Sequence, residues 1–352
     1  MIKVSSNLLD ETQFRMKKYS RVSGSGIAPF FPISTQPSGA ALPFHAFLAF
    51  IRIPLLLGVS LAYFLLFSWL PIGSLGKKAA LWVILGVPGI WWVDLQVDGV
   101  KRGSLGKNSI RLPQPGAIIA SSLTSPIDAL YLAAIFDPLF TRSFPETRQV
   151  QPISLWQAMI DALTMTPPTP ALGAKLIDLD ALLREHSDRC IAVFPECTTT
   201  NGRGILPFSP SLLNVPDRAR IFPVSLRYSP ADITTPLPGS YYTFLWNLCS
   251  KPTHCIRVRI AEATYNTAYQ LSQKQQQQSA RRNSYETNLL DNLHSSEREH
   301  DSMDDPSTPL AKEEVAVLDR IGEALARLGR IKRVGLTVSD KASFVKAYSK
   351  RR

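Results

Sequence analysis

Ile191–Gly204 reads IAVFPECTTTNGRG, and the fold turns on this passage. Four apolar residues, Ile191–Phe194, closed by a proline have the character of a short buried strand. The strand runs into a loop with one carboxylate, three hydroxyls, two glycines and one arginine. Such a loop offers backbone N–H groups and a guanidinium to an oxyanion or phosphate. A polar turn built on Asn201-Gly202 is the plainer reading of the same residues.

Working outward, Ile221–Leu226 (IFPVSL) is a second apolar run, and Cys255–Ile260 alternates Ile256, Val258 and Ile260 with basic residues. Upstream, Ala117–Ala120 (AIIA) precedes a helical stretch, Ile127–Phe136, and Lys175–Glu185 puts Leu176, Leu179, Leu182 and Leu183 on one helical face. Strands separated by helical patterns predict an α/β fold, a mostly parallel sheet with flanking helices, over residues 96–271. At its first strand-to-helix junction, Ser121–Asp128 reads SSLTSPID. Ser125-x-x-Asp128 with Pro126 at the first helical position is a capping box. A junction of this kind also turns polar groups toward a crevice, which makes the same residues candidates for chemistry.

The segment before the sheet differs in character. Ile53–Gly76 carries no charge, and Ile53–Leu70 is 18 residues of nearly unbroken apolar sequence, close to the shortest helix that crosses about 30 Å of hydrocarbon. Ala79–Val93 is a second uncharged stretch, interrupted by Pro88-Gly89 and ending at Trp91 and Trp92, residues suited to the headgroup level. Arg52, Lys77 and Lys78 flank the first stretch as anchors. Residues 45–95 are therefore expected to form a membrane helix or a hairpin returning to the same leaflet; the alternative is a buried core helix. Residues 1–44 form a basic arm with no apolar core of a signal peptide. Residues 272–310, with the run Gln275–Gln278 and few apolar side chains, are expected to be a disordered insertion. Residues 311–352 are expected to form a basic amphipathic helical region, marked by Val315, Leu318, Ile321, Leu325 and Leu328 and capped by Gly329.

Of 352 residues, 45% are hydrophobic and 19% charged, which excludes a wholly disordered or collagen-like chain. The net charge of +11 is concentrated at both ends. Basic flanks beside apolar segments suit an anionic membrane surface, and nucleic acid is not an expected partner. The four cysteines, Cys190, Cys197, Cys249 and Cys255, match no zinc framework and point to a reducing compartment.

Phe194–Phe208, FPECTTTNGRGILPF, resembles the F-P-E-G-T block of the PlsC-type glycerolipid acyltransferases, and its T-x-T-N-G continuation resembles their lysophospholipid branch. The family's N-H-x-x-x-x-D motif aligns with Ser122–Asp128, and its V-P-V-type strand with Ile221–Val224. The likeness covers roughly residues 45–265. The T-S-P-x-D variant, the polar insertion and Phe344-x-x-Ala347-Tyr348 look like the fungal lysophosphatidic acid acyltransferases, some of whose relatives carry vacuolar-sorting names.

The resemblance implies transfer of a fatty acyl group from acyl-CoA to the sn-2 hydroxyl of lysophosphatidic acid or a related lysophospholipid. Acyl-CoA would be a co-substrate, with no bound cofactor and no metal, and the place would be the endoplasmic reticulum membrane or a lipid droplet. It implies that Asp128 orients or activates the acceptor and that Ser125 caps the helix beneath it. Glu196, Thr198 and Arg203 would hold the glycerol phosphate, with Thr200, Asn201 and Gly202 in the same substrate-binding loop. Several positions depart from the family. Leu123 stands where the family has the histidine that takes the acceptor's proton, and Cys197 replaces the glycine of the block. The family's arginine after the threonine is also absent, which makes Arg203 the candidate phosphate contact. Either Asp128 is the base, another group supplies it, or the protein is a catalytically inactive acyltransferase fold serving lipid binding or trafficking.

Overall fold

The computed structural model describes residues 28–33, 35, 41–67, 73–101, 103–267 and 310–350. The expected disordered insertion falls, apart from Leu310, outside the described residues, as does most of the N-terminal arm.

Seven strands form one sheet: β1 (Ile90–Val97), β2 (Ile118–Ser121), β3 (Leu139–Ser143), β4 (Val150–Ile153), β5 (Ile191–Val193), β7 (Ile221–Ser229) and β8 (His254–Ile260). Their order is β1-β8-β7-β2-β5-β3-β4, and a small second sheet pairs β6 (Gly204–Ile205) with β9 (Lys332–Arg333). The pairs β1·β8, β2·β7, β2·β5 and β3·β5 are parallel, whereas β7·β8 and β3·β4 are antiparallel. The expected α/β class and mostly parallel sheet are therefore present. The central strands are the apolar runs of the sequence, as strands covered on both faces must be.

Helices cover both faces. One face carries α1 (Leu42–Ala62), α2 (Ser74–Gly86), α3 (Pro126–Phe136), α4 (Leu155–Leu163) and α6 (Tyr241–Ser250). Leu56, Leu81, Leu130, Ala158 and Phe244 pack there with Ile119, Phe222 and Ile256. The other face carries α5 (Leu179–Glu185) and α7 (Lys312–Gly329), with Leu179, Val317 and Ile321 on Ile118, Val193 and Ile221. A last helix, α8 (Val338–Ser349), follows β9. In α7 the buried stripe begins at Val317; Val315 is exposed, because it lies off the face that meets the sheet. The cap is Arg330, in the left-handed region at φ 49°, rather than Gly329.

The second uncharged stretch of the sequence divides between a helix and a strand. Pro88-Gly89 ends α2, and Trp91 and Trp92 stand, each 69% exposed, on edge strand β1. Gly89 has φ +87°, and a Cβ there would lie 2.5 Å from the Pro252 carbonyl oxygen, so the close approach of these two turns requires glycine.

The first stretch, expected over Ile53–Leu70, belongs to a helix that starts earlier, at Leu42, and its residues 68–70 lie outside the described residues. Among the described residues Leu42–Leu65 is the helix long and apolar enough to cross a membrane, with 17% of its most apolar window buried. Arg52 does not snorkel away from the domain. Its guanidinium donates to the carbonyls of Pro88 (3.3 Å), Lys251 (2.6 Å) and Pro252 (3.1 Å), tying the middle of α1 to the turn after α2 and to the end of α6. Phe64, at the C-terminal end, makes an edge contact with Trp156 of α4 at 4.9 Å.

Candidate functional site

Parallel strands β2 and β5 end side by side, and each releases one of the two sequence motifs. After β2, Ser125 adopts extended backbone and caps α3; its Oγ accepts from the Ile127 N–H at 3.4 Å and donates to the Ile233 carbonyl at 2.9 Å. Asp128 is wholly buried. Its Oδ2 accepts from the N–H and Oγ1 of Thr124 (2.6 and 2.9 Å) and from the Ser125 N–H (2.9 Å), while Oδ1 accepts from the Tyr228 hydroxyl. Burial pushes this carboxyl up to about 6 against those hydrogen bonds. Both of its oxygens are thus bonded to the protein's own donors. The capping box is formed in full, and Leu123, beside it, is buried in the apolar core.

The loop after β5 lies against this junction. The Thr200 N–H donates to the Leu123 carbonyl at 3.2 Å, and Gly202, at φ +72°, approaches Thr124. Glu196 is buried; its Oε2 accepts the Leu206 N–H at 3.0 Å, and its Oε1 has no partner among the described residues. Burial pushes its carboxyl up to about 8, the Asp128 charge adding to this and Lys341 opposing it. Cys197 has φ +56°, the left-handed region that favours glycine, which gives a backbone reason for the glycine of the resembling block. Its thiol is pushed up to about 12 by burial and donates to the Pro195 carbonyl at 3.6 Å, so it is no thiolate nucleophile.

Asn201 is committed to structure. Its backbone N–H donates to Pro29 (2.9 Å), its Nδ2 to Ala28 and Phe31 (2.7 and 2.8 Å), and its Oδ1 accepts from the Arg203 N–H (2.9 Å). Ser125, Asp128, Glu196, Thr198, Thr200 and Asn201 are buried at one junction between the two loops, and the partly exposed Gly202 adjoins it at Thr124. Arg203 does not join it. Its side chain is exposed and its charge faces Arg227, which lies on the α7 side of the sheet with Arg257 opposite it in register.

Two residues were not legible in advance. Tyr228 lies past the expected end of its strand, which runs to Ser229. Lys341, on α8, is 0% exposed and donates through Nζ to Thr198 Oγ1 (3.0 Å), the Thr199 carbonyl (2.8 Å) and Thr199 Oγ1 (2.6 Å). Burial lowers its amine to about 7, with Glu196 opposing the shift. The one signal in the sequence is register: Lys341 falls three residues after Val338 and three before Phe344, on the inward side of a capped helix. Phe344 then meets Phe31 at 5.1 Å and Phe30 at 6.0 Å, so α8 and Ala28–Phe31 together close the loop. Among the described residues, no group of His, Cys, Asp and Glu is placed to hold a metal ion.

No family model matches the chain. It is 27% identical over 263 residues to a Schizosaccharomyces pombe protein provisionally named lysophosphatidic acid:oleoyl-CoA acyltransferase, covering 70% of this chain and 84% of that one. It is 25% identical over 197 residues to lysophosphatidic acid:oleoyl-CoA acyltransferase 1 of Saccharomyces cerevisiae, covering 55% of this chain and 61% of that one. The two relatives, aligned over 70% and 55% of this chain, thus carry the name of the fungal acyltransferases that the two motifs resemble, and their names support an acyltransferase-like activity.

Proposed function

We propose that this protein transfers a fatty acyl group from acyl-CoA to the sn-2 hydroxyl of lysophosphatidic acid or a related lysophospholipid, at the surface of the endoplasmic reticulum or a lipid droplet. The observation that carries this reading is the meeting of the two motifs at the ends of β2 and β5, with a buried, half-unpartnered Glu196 in the loop. A carboxyl oxygen without a partner in a buried site is costly unless a ligand group completes it. On this reading the free oxygen of Glu196 serves a hydroxyl of the acceptor. Asp128, capping α3 and held by Tyr228, fixes the junction of the two loops; most of the rate advantage then comes from holding acceptor and thioester together. Arg203, with Arg227 and Arg257 beside it, is the phosphate-attracting surface outside that junction.

A second reading has its own observation. Leu123 cannot take a proton, and Asp128 has both oxygens engaged, which favours a lipid-binding fold without turnover. The deciding experiment is acyl transfer by purified, detergent-solubilised protein given labelled oleoyl-CoA and a panel of lysophospholipids. Phosphatidic acid formed from lysophosphatidic acid is the expected result. Folded protein that binds lysolipid yet turns over no acceptor overturns the enzyme reading in favour of the second.

A further inference from the structure

A site lacking its motif histidine needs another proton acceptor, and the C-terminal helix brings one to the loop after β5. Lys341 Nζ reaches the loop at Thr198 and Thr199, next to Thr200, whose N–H bonds the carbonyl of Leu123. We propose that Lys341 takes the part that Leu123 cannot, as a positioning residue that accepts the acceptor's proton through the Thr198 hydroxyl. The inference rests on the acyl-transfer reading.

Geometry carries it, and the electrostatics agree. All three hydrogen bonds of Nζ go to one loop, and two of the partners are hydroxyls, which can turn to donate when the amine is neutral. The lysine is fully buried, and its amine lies near the ambient pH range where proton transfer in both directions is efficient. Among the described residues the carboxyl acting on it is Glu196, which Asp128 influences in turn; the intervening Cys197 thiol stays protonated. On its own helix, Asp340 is exposed and bonded to Thr337.

The step balances within the two substrates. The lysolipid hydroxyl gives its proton to Thr198 Oγ1 as Thr198 gives its own to the neutral Lys341 amine. The freed oxygen forms the ester C–O bond, the thioester C–S bond breaks, and the leaving CoA thiolate takes the proton back from the ammonium along the same path.

The test compares wild type with Lys341→Met, Thr198→Val and Thr198→Ser, measuring kcat and kcat/KM against pH for lysophosphatidic acid and oleoyl-CoA, with thermal unfolding alongside. Wild-type kcat/KM is expected to rise with an apparent pKa near that of the lysine. Thr198→Val leaves both Thr199 contacts to hold α8, so its unfolding should stay close to wild type while kcat falls by about 10²–10⁴; Thr198→Ser should keep most of the rate. Lys341→Met should lose the rising limb altogether. Full activity in Thr198→Val, or an unchanged limb in an active Lys341→Met, overturns the lysine's role while leaving acyl transfer standing. A wild type inactive on every acceptor overturns both.

Discussion

Glu196 is a carboxyl whose surroundings favour its protonated form, and this has a consequence for stability. In the folded chain it is pushed up to about 8, against about 4.3 for an ordinary glutamate. The native state holds the proton more tightly, so Glu196's contribution to stability is fully present below the ordinary value and is lost as pH rises toward 8. Lys341 runs the other way: lowered to about 7 when folded, it penalises the native state below that value and releases the penalty as pH climbs toward about 10.4. Glutamine cannot titrate. Urea unfolding of Glu196→Gln and wild type is expected to show the difference in midpoint moving in the variant's favour from pH 5 to pH 8; parallel midpoints would show that Glu196 stays charged. At this scale the sequence is an uneven guide. The capping box at Ser125 and Asp128 is legible because its partners are three residues apart. Lys341 and Thr198 are 143 residues apart, and only its register between Val338 and Phe344 sets this buried lysine apart from the solvated ones near it.

Elements read more reliably than single residues, since periodicity sums over many side chains. The four apolar runs form β2, β5, β7 and β8, and the helix after β2 lies where its pattern puts it. The helix before β5 is shorter than the expected Lys175–Glu185, starting at Leu179 because Ile177 is drawn into a bridge with Val150 and leaves Leu176 outside. The division of Ala79–Val93 between α2 and β1 escapes periodicity, because both parts are apolar and the turn depends on Gly89 meeting Pro252. The closing of the site by α8 and Ala28–Phe31 is equally invisible in the chain, since it pairs two distant, weakly patterned ends. Phe344 is the contact between them. Phe344→Ala, at a half-buried position, is expected to cost about 2 kcal/mol, below the 3–5 of a fully buried ring. The selective readout is hydrogen exchange. The Thr200 and Asn201 amides, which bond Leu123 and Pro29, should exchange at least several-fold faster, with the amides of β2 and β5 unmoved. Uniform acceleration across the sheet would mean that α8 supports the whole fold rather than the loop.

For the molecule as a whole, the question is how a domain with one long apolar helix meets a bilayer. A spanning helix leaves its domain at one end; α1 is gripped at intervals along its length. Ala28 and Phe31, before it, bond Asn201 of the loop, Arg52 at its middle bonds three carbonyls, Phe64 packs on Trp156, and α2 after it packs into the same core. Its outward side is apolar, with Phe50 80% and Phe47 61% exposed. This arrangement suits a helix lying in one leaflet with the domain beneath it, a mode that a lipid-droplet monolayer also accepts. Each phenylalanine withdrawn from water contributes about 1.5–3 kcal/mol, so Phe47→Glu and Phe50→Glu should each weaken flotation with phosphatidylcholine–phosphatidic acid vesicles by about tenfold or more, at unchanged unfolding. The orientation is checked separately. In a Cys255→Ser background, where the remaining cysteines are buried, single cysteines at Leu42 and Ser74 are labelled with a membrane-impermeant maleimide after reconstitution. Labelling of both from the same side is the expected outcome, because Leu42 and Ser74 flank a helix that never leaves its domain. Labelling from opposite sides would mean that Arg52 lets go of its three carbonyls in the bilayer and that α1 crosses it.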